Sequence, residues 1–268
     1  MAFRIDHSSC SEIDAINGPQ QLRNPNAMDT LVKTRAERFW NPEAYARDQW
    51  IKRQAELMPH GSRVLDAGAG ASKYRPFFRH CRYETQDFCA YNGPLVKYLQ
   101  TIDYICDITS IPLPEKTFDG ILCTEVFEHL PDPMAALREF SRLTKPNGKL
   151  WLTAPFLSSL HMEPYHYYAG FTQYWYEYWL PRLGFTVDSI VWIGGPGRTA
   201  VVYLANFYSS WHDQEPQLPM LRRWLSKGLR LIAKVPTHVV LPRILPRLDR
   251  WLQSRRVASG LMVTATRR

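Results

Sequence analysis

An α/β fold wound on a parallel sheet is the fold class this sequence predicts, and three features predict it. Short apolar runs alternate with amphipathic stretches from residue 62 onward. The first run empties into a glycine-rich turn, and Pro146-Asn147-Gly148 turns a helical period back into a strand-like one. A chain of 268 residues, 45% hydrophobic and 22% charged, can bury a sizeable core in one domain. No stretch approaches the roughly 18 uncharged apolar residues of a membrane-spanning helix, and Met1 to Pro19 lacks a secretory apolar run. A cytoplasmic protein is expected.

Residues 1–60 read as mostly helical, anchored by Trp40, Tyr45 and Trp50, and predict a cap over a core at 61–194. Arg63 to Asp66 reads as the first strand. Tyr74, Phe77, Phe78 and Cys81 recur at i, i+3, i+4 and i+7, which predicts a helix. Arg82 to Asp87 reads as a second strand, Tyr104 to Asp107 as a short third, and Gly120 to Thr124 as a buried fourth. Met134, Leu137, Phe140 and Leu143 line one side of a helix, with Arg138, Glu139 and Arg142 opposite; Lys149 to Ala154 is the fifth strand. Thr172 predicts the N-cap of a helix ending near Gly184, kinked or cut short by Pro181. Phe185 to Trp192 is a sixth strand, 195–258 a basic helical insertion, and 259–268 carries a last strand, Leu261 to Thr266.

The net charge of +8 is unevenly spread. Residues 195–268 hold 13 Lys/Arg against 3 Asp/Glu, and the rest of the chain holds 20 against 22. Met220 to Val235 reads as an amphipathic helix. Leu221, Trp224, Leu225, Leu231 and Ile232 form its stripe, with Arg223, Lys227, Arg230 and Lys234 on the other side. Pro236, Pro242 and Pro246 predict short pieces after it. Two readings stand: a lid with solvated charges, or peripheral contact with an anionic membrane through residues 220–256, at the inner membrane face. No nucleic-acid recognition module appears, so no nucleic-acid partner is expected. The five cysteines are odd in number and never spaced Cys-x-x-Cys, which predicts reduced, packed thiols.

Glycine belongs where backbone must take positive φ or approach a ligand, and Val64-Leu65-Asp66-Ala67-Gly68-Ala69-Gly70 places two in the turn after the first strand. Lys73 stands where the dinucleotide fingerprint needs its third glycine, and no phosphate-binding Gly-x-x-x-x-Gly-Lys-Ser/Thr occurs. This segment resembles the first motif of class I S-adenosylmethionine-dependent methyltransferases, with Ser72 where many members have a further glycine. Asp87 stands 21 residues after Asp66, where the family has the acidic residue that holds the cofactor ribose. Asp107-Ile108 matches the pair that in the family binds adenine. Phe118 to Leu130 resembles the fourth-strand motif of the type 11 branch, and Leu143 to Gly148 its following turn. The resemblance is strong over about 62–156 and moderate over 157–194.

The resemblance implies a Rossmann-like seven-stranded sheet, mostly parallel with an antiparallel last strand, and helices on both faces. It implies S-adenosyl-L-methionine as cofactor, held by Asp66, Gly68, Ala69, Gly70, Asp87, Phe88, Asp107, Ile108, Thr124 and Glu125. Ligands in such sheets lie beyond the strands' carboxyl ends. The loop after the fifth strand resembles the family's His-Glu-x-Pro-x-Asp/His-Tyr segment, and nine of the fifteen residues from Tyr165 to Trp179 are aromatic. Phe156, Tyr165 and Tyr168 are the expected acceptor-pocket residues; Tyr174, Trp175, Tyr178 and Trp179 read as helix-on-sheet packing. Candidate bases are His166, His161 and His129, with Glu128-His129 also readable as a structural pair beside the cofactor. His161, Glu163 and His166 have metal-ligand types, but metal-dependent methyl transfer favours carboxylate-rich oxygen sites, so no metal is expected. The expected activity is methyl transfer to an oxygen or nitrogen of a small-molecule acceptor, lipid-like or a natural product. The rival readings are a degenerate cofactor-binding adaptor and an NAD-dependent oxidoreductase.

Overall fold

A computed structural model describes residues 42–96, 98, 101–214, 219–252 and 256–268. The predicted cap before residue 42, with Trp40, lies outside them. The strands are β1 (Arg63–Ala67), β2 (Arg82–Asp87), β3 (Tyr104–Ile105), β4 (Phe118–Thr124), β5 (Thr144–Pro155), β6 (Phe185–Ile193) and β7 (Gly260–Arg267). They form one sheet in the order β3-β2-β1-β4-β5-β7-β6. β1 pairs in parallel with β2 and β4, as do β2 with β3 and β4 with β5, whereas β7 runs antiparallel between β5 and β6.

The central strands bury apolar side chains on both sheet faces, because both faces are covered. On one face Leu65, Ile121 and Leu150 pack with α2 (Pro133–Leu143) and α3 (Gln173–Arg182), through Leu137, Phe140, Tyr176 and Leu180. On the other, Val64, Leu122 and Trp151 pack with Trp50 and Ile51 of α1 (Pro42–Glu56). α2 begins where Asp132 accepts a hydrogen bond from the Ala135 N–H at 2.9 Å, with Pro133 in the first turn.

Several expectations change. The helix expected over Tyr74 to Cys81 is a single 3-10 turn, Arg75–Phe78. Pro76 removes a backbone donor there, and Phe78 alone of that turn is buried. β3 is only Tyr104–Ile105, because Asp107 folds into a turn with Thr109. β5 begins at Thr144 and contains the Pro146-Asn147-Gly148 turn, Asn147 at φ 63°, with a register shift against β4. Thr172 precedes α3 without a side-chain capping bond, and Pro181 sits inside its last turn. Trp175 and Trp179 pack on the core as expected. Tyr174 and Tyr178 instead face outward, Tyr178 beneath the Arg182 guanidinium. Cys81, Cys89, Cys106 and Cys123 are free thiols.

The insertion holds α4 (Pro196–Gln214), α5 (Met220–Val235), a π-helical turn (Pro236–Val240) and α6 (Leu241–Leu252). The prolines do not break it into short pieces. Pro236 and Pro242 stand in first turns, where no N–H is needed, and at Pro246 the helix continues without one donor. Asp249 of α6 accepts hydrogen bonds from the Gly197 and Arg198 N–H groups at 2.6 and 2.9 Å, and so caps α4. No helix among the described residues is long and apolar enough to cross a membrane.

Candidate active site

The carboxyl ends of β1, β2 and β3 are tied to one another. Gly68 (φ 72°) and Ala69 donate their N–H groups to the Gln86 carbonyl, both at 2.9 Å, and Gly70 (φ 51°) donates to Asp87 Oδ2 at 2.9 Å. The Gln86 side chain donates onward to the Cys106 carbonyl at 2.7 Å. A Cβ at Gly68 would lie 2.5 Å from Val126 of the loop after β4, so close approach as well as φ demands glycine. Ser72, at φ 52°, occupies a left-handed position that explains the family's glycine there, and its buried hydroxyl has no partner. Asp66 is 2% exposed, accepts a hydrogen bond from the Tyr83 hydroxyl, and is pushed up to about 7 by burial. Its carboxyl is engaged by the protein, which makes it a support behind the turn.

Asp87 Oδ1 accepts from the Cys89 N–H and the Tyr98 hydroxyl at 3.0 and 3.1 Å. Asp107 is exposed, with Oδ1 accepting from the Thr109 N–H and hydroxyl; Ile108 beside it is buried. Thr124 ends β4. Glu125 follows at φ 53°, accepting the Thr153 hydroxyl at 2.9 Å and pairing with Arg47 of α1 at 2.7 Å. Arg47 was not anticipated. Burial opposes its charge, but Glu125, Tyr74 and Asp48 outweigh that and raise its pKa, and its buried Nε has no partner. The spacing carried a signal: Arg47 lies on one helix stripe with the buried Ala44 and Ile51.

These residues fit S-adenosylmethionine. A hydroxyl already sits on Asp87, and Arg47 Nε and the Ser72 hydroxyl are buried without partners, which suits a ribose and an amino-acid carboxylate. Asp87 would hold the ribose, Asp107 and Ile108 the adenine, and Arg47 the carboxylate.

The loop after β5 closes on this face. Phe88, just beyond β2, meets Tyr165 edge-on with ring centroids 5.3 Å apart. The Tyr167 and Tyr168 N–H groups donate to the Glu128 carbonyl at 2.8 and 3.2 Å, and the Tyr168 hydroxyl donates to the Pro131 carbonyl. Phe156 packs on Trp192, ring centroids 5.4 Å apart. His129 Nδ1 lies 2.5 Å from the Tyr165 carbonyl and His161 Nδ1 lies 2.8 Å from the Ser159 carbonyl, so Nδ1 carries the proton in both. Their rings stand 4.8 Å apart. His166 differs: Nδ1 accepts the His161 N–H at 3.3 Å and Nε2 faces the Ser158 hydroxyl at 3.2 Å, so both nitrogens are engaged.

Burial lowers the His129 pKa to about 4. Burial, helped by the Glu125 charge, raises that of Glu128, whose Oε2 has no partner. The Glu128–His129 approach of 3.7 Å is therefore a contact of two neutral groups near neutral pH, not an ion pair. Glu163 is exposed, and the structure groups His161 with Glu128 and His129, ligand atoms within 4.8 Å of one another, in place of the His161-Glu163-His166 set.

A methyltransferase-domain family model, type 11, matches residues 65–152. The demethylmenaquinone methyltransferase of Corynebacterium urealyticum is 26% identical over 199 residues, 72% of this chain and 76% of that protein. The ubiquinone biosynthesis O-methyltransferase of Xanthomonas oryzae pv. oryzae is 48% identical over 121 residues, 41% of this chain and 48% of that one; the chain thus spans about half the length of such relatives. Among solved structures, coclaurine N-methyltransferase bound to N-methylheliamine and S-adenosylhomocysteine has a TM-score of 0.49 at 15% identity, over 83% of this chain and 72% of that one. Residues 65–152 thus match the type 11 methyltransferase domain over the strand tips just described.

Proposed function

We propose that this chain methylates a hydroxyl oxygen of an apolar, quinol-like small molecule seated against Phe88 and the loop after β5. The observation that carries the reading is the Phe88–Tyr165 contact, which joins the cofactor face to the loop that sets His161 beside His129, both with lone pairs on Nε2. The relatives' names, demethylmenaquinone methyltransferase and ubiquinone biosynthesis O-methyltransferase, support the acceptor class. When bound, the cofactor supplies a methyl carbon on a sulfonium, open to in-line attack.

The protein's own part is alignment, water exclusion and proton removal. Tyr165 and Phe88 offer flat apolar walls for a ring. His161 Nε2 takes the acceptor proton, and His129, held neutral by burial, accepts a hydrogen bond without adding positive charge beside the sulfonium. His166 positions His161 through its backbone.

Labelled-methyl transfer to a panel of hydroxylated quinols, beside S-adenosylhomocysteine calorimetry, tests this. His161→Ala should lower kcat about a hundredfold with cofactor affinity unchanged. Product methylated at ring carbon would replace the oxygen assignment.

A further inference from the structure

α5 is mounted inside out. Its buried residue is Ser226, whose hydroxyl accepts a hydrogen bond from Trp211 Nε1 of α4 at 2.7 Å, and Arg230 lies over the Tyr208 ring at 5.8 Å. The protein is therefore gripped by the polar arc. On the opposite arc, Met220, Leu221, Trp224, Leu225, Leu231 and Ile232 are 61–76% exposed. The strip continues past Pro236 through Val240 and Ile244. Soluble monomers seldom leave so long a contiguous apolar strip in water, and a helix unable to span a bilayer can still lie in one.

At 100° per residue, exposed Lys227 and Lys234 border one margin of the strip and exposed Arg222 the other. Residues 220–235 carry five Lys/Arg and no acid. A second copy docked face to face would oppose two such helices, whereas phosphate headgroups complement them. Lys227 also stands 5.6 Å from the Trp224 ring, an aromatic–cation pairing suited to the headgroup boundary.

We infer that the α5 face docks on an anionic phospholipid bilayer, with the helix lying in its plane. The stripe enters the boundary between headgroups and acyl chains, and the margin lysines meet lipid phosphates. The insertion also touches the acceptor loop. Asn206 of α4 donates to the Ser159 hydroxyl at 3.0 Å, two residues before His161, and Leu160 next to it is exposed. The inference is independent of which acceptor is methylated.

Co-sedimentation of the full chain with vesicles tests it. Vesicles of phosphatidylcholine mixed equally with phosphatidylglycerol should bind at least about tenfold more protein than phosphatidylcholine alone, and added salt should reverse the gain. Trp224→Glu with Leu231→Glu should abolish binding, and Lys227→Glu with Lys234→Glu should lower it about tenfold. All four positions are exposed, so melting curves and S-adenosylhomocysteine affinity should stay at wild-type values. Binding indifferent to phosphatidylglycerol, binding that survives the Trp224/Leu231 pair, or a solution dimer dissolved by that pair would each overturn the inference.

Discussion

α2 and α5 are both amphipathic, and the protein treats them in opposite ways. α2 turns Leu137, Phe140 and Leu143 into the sheet, all fully buried, and leaves Arg138 in water. α5 turns Ser226 inward and leaves Leu221, Trp224 and Ile232 outside. An apolar stripe states that something must cover it. Which surface does so is decided by what the neighbouring element offers: β4 and β5 present an apolar face to α2, whereas α4 presents Trp211 Nε1 to α5.

The sharpest test of that contrast is stability. Phe140→Ala should cost about 3–5 kcal/mol in urea unfolding, and Ile232→Ala less than about 0.5 kcal/mol. Equal losses would mean that α5 packs on protein. Cofactor affinity should divide the molecule in the same way. Arg47→Ala should weaken S-adenosylhomocysteine about tenfold by calorimetry, while Lys234→Ala should leave it unchanged.

A smaller effect is pH-dependent. Glu128 binds its proton more tightly folded than unfolded, with pKa about 8 against a usual 4.5. The folded state thus holds an extra proton between those values, and stability contributed below pH 4.5 is lost as pH rises toward 8. Glu128→Gln should therefore gain on wild type progressively across that window and plateau above it, read from melting temperature against pH. The smallest expected effect is reversible: zinc bridging the Nε2 atoms of His129 and His161 should slow turnover, and a chelator should restore it.

The sheet was legible because its strands are apolar runs that end in glycine or aspartate, a local pattern. The spacing of Asp66 and Asp87 marks the ends of β1 and β2, while Asp107 lies two residues past β3. Long-range consequences were not legible. Pro76 shortens a promising helical period, Tyr174 and Tyr178 share spacing with Trp175 and Trp179 yet face outward, and Pro246 fails to end a helix. Arg47 reads as a solvated charge until its stripe partners Ala44 and Ile51 are seen to be buried. His166, a leading candidate base by sequence, has both ring nitrogens engaged, whereas His129 and His161 keep Nε2 open.

Ile193 and Gly260 face each other in the β6–β7 ladder, and the Ser259 N–H donates to the Ile193 carbonyl at 3.0 Å. Topologically, then, everything from 194 to 259 is the tip of a single β-hairpin. Closing a loop of that length instead of a tight turn costs only about 2–3 kcal/mol in chain entropy, since the penalty grows logarithmically. A catalytic scaffold with such a socket can exchange its accessory piece wholesale, and thereby change its address in the cell while its chemistry stays put.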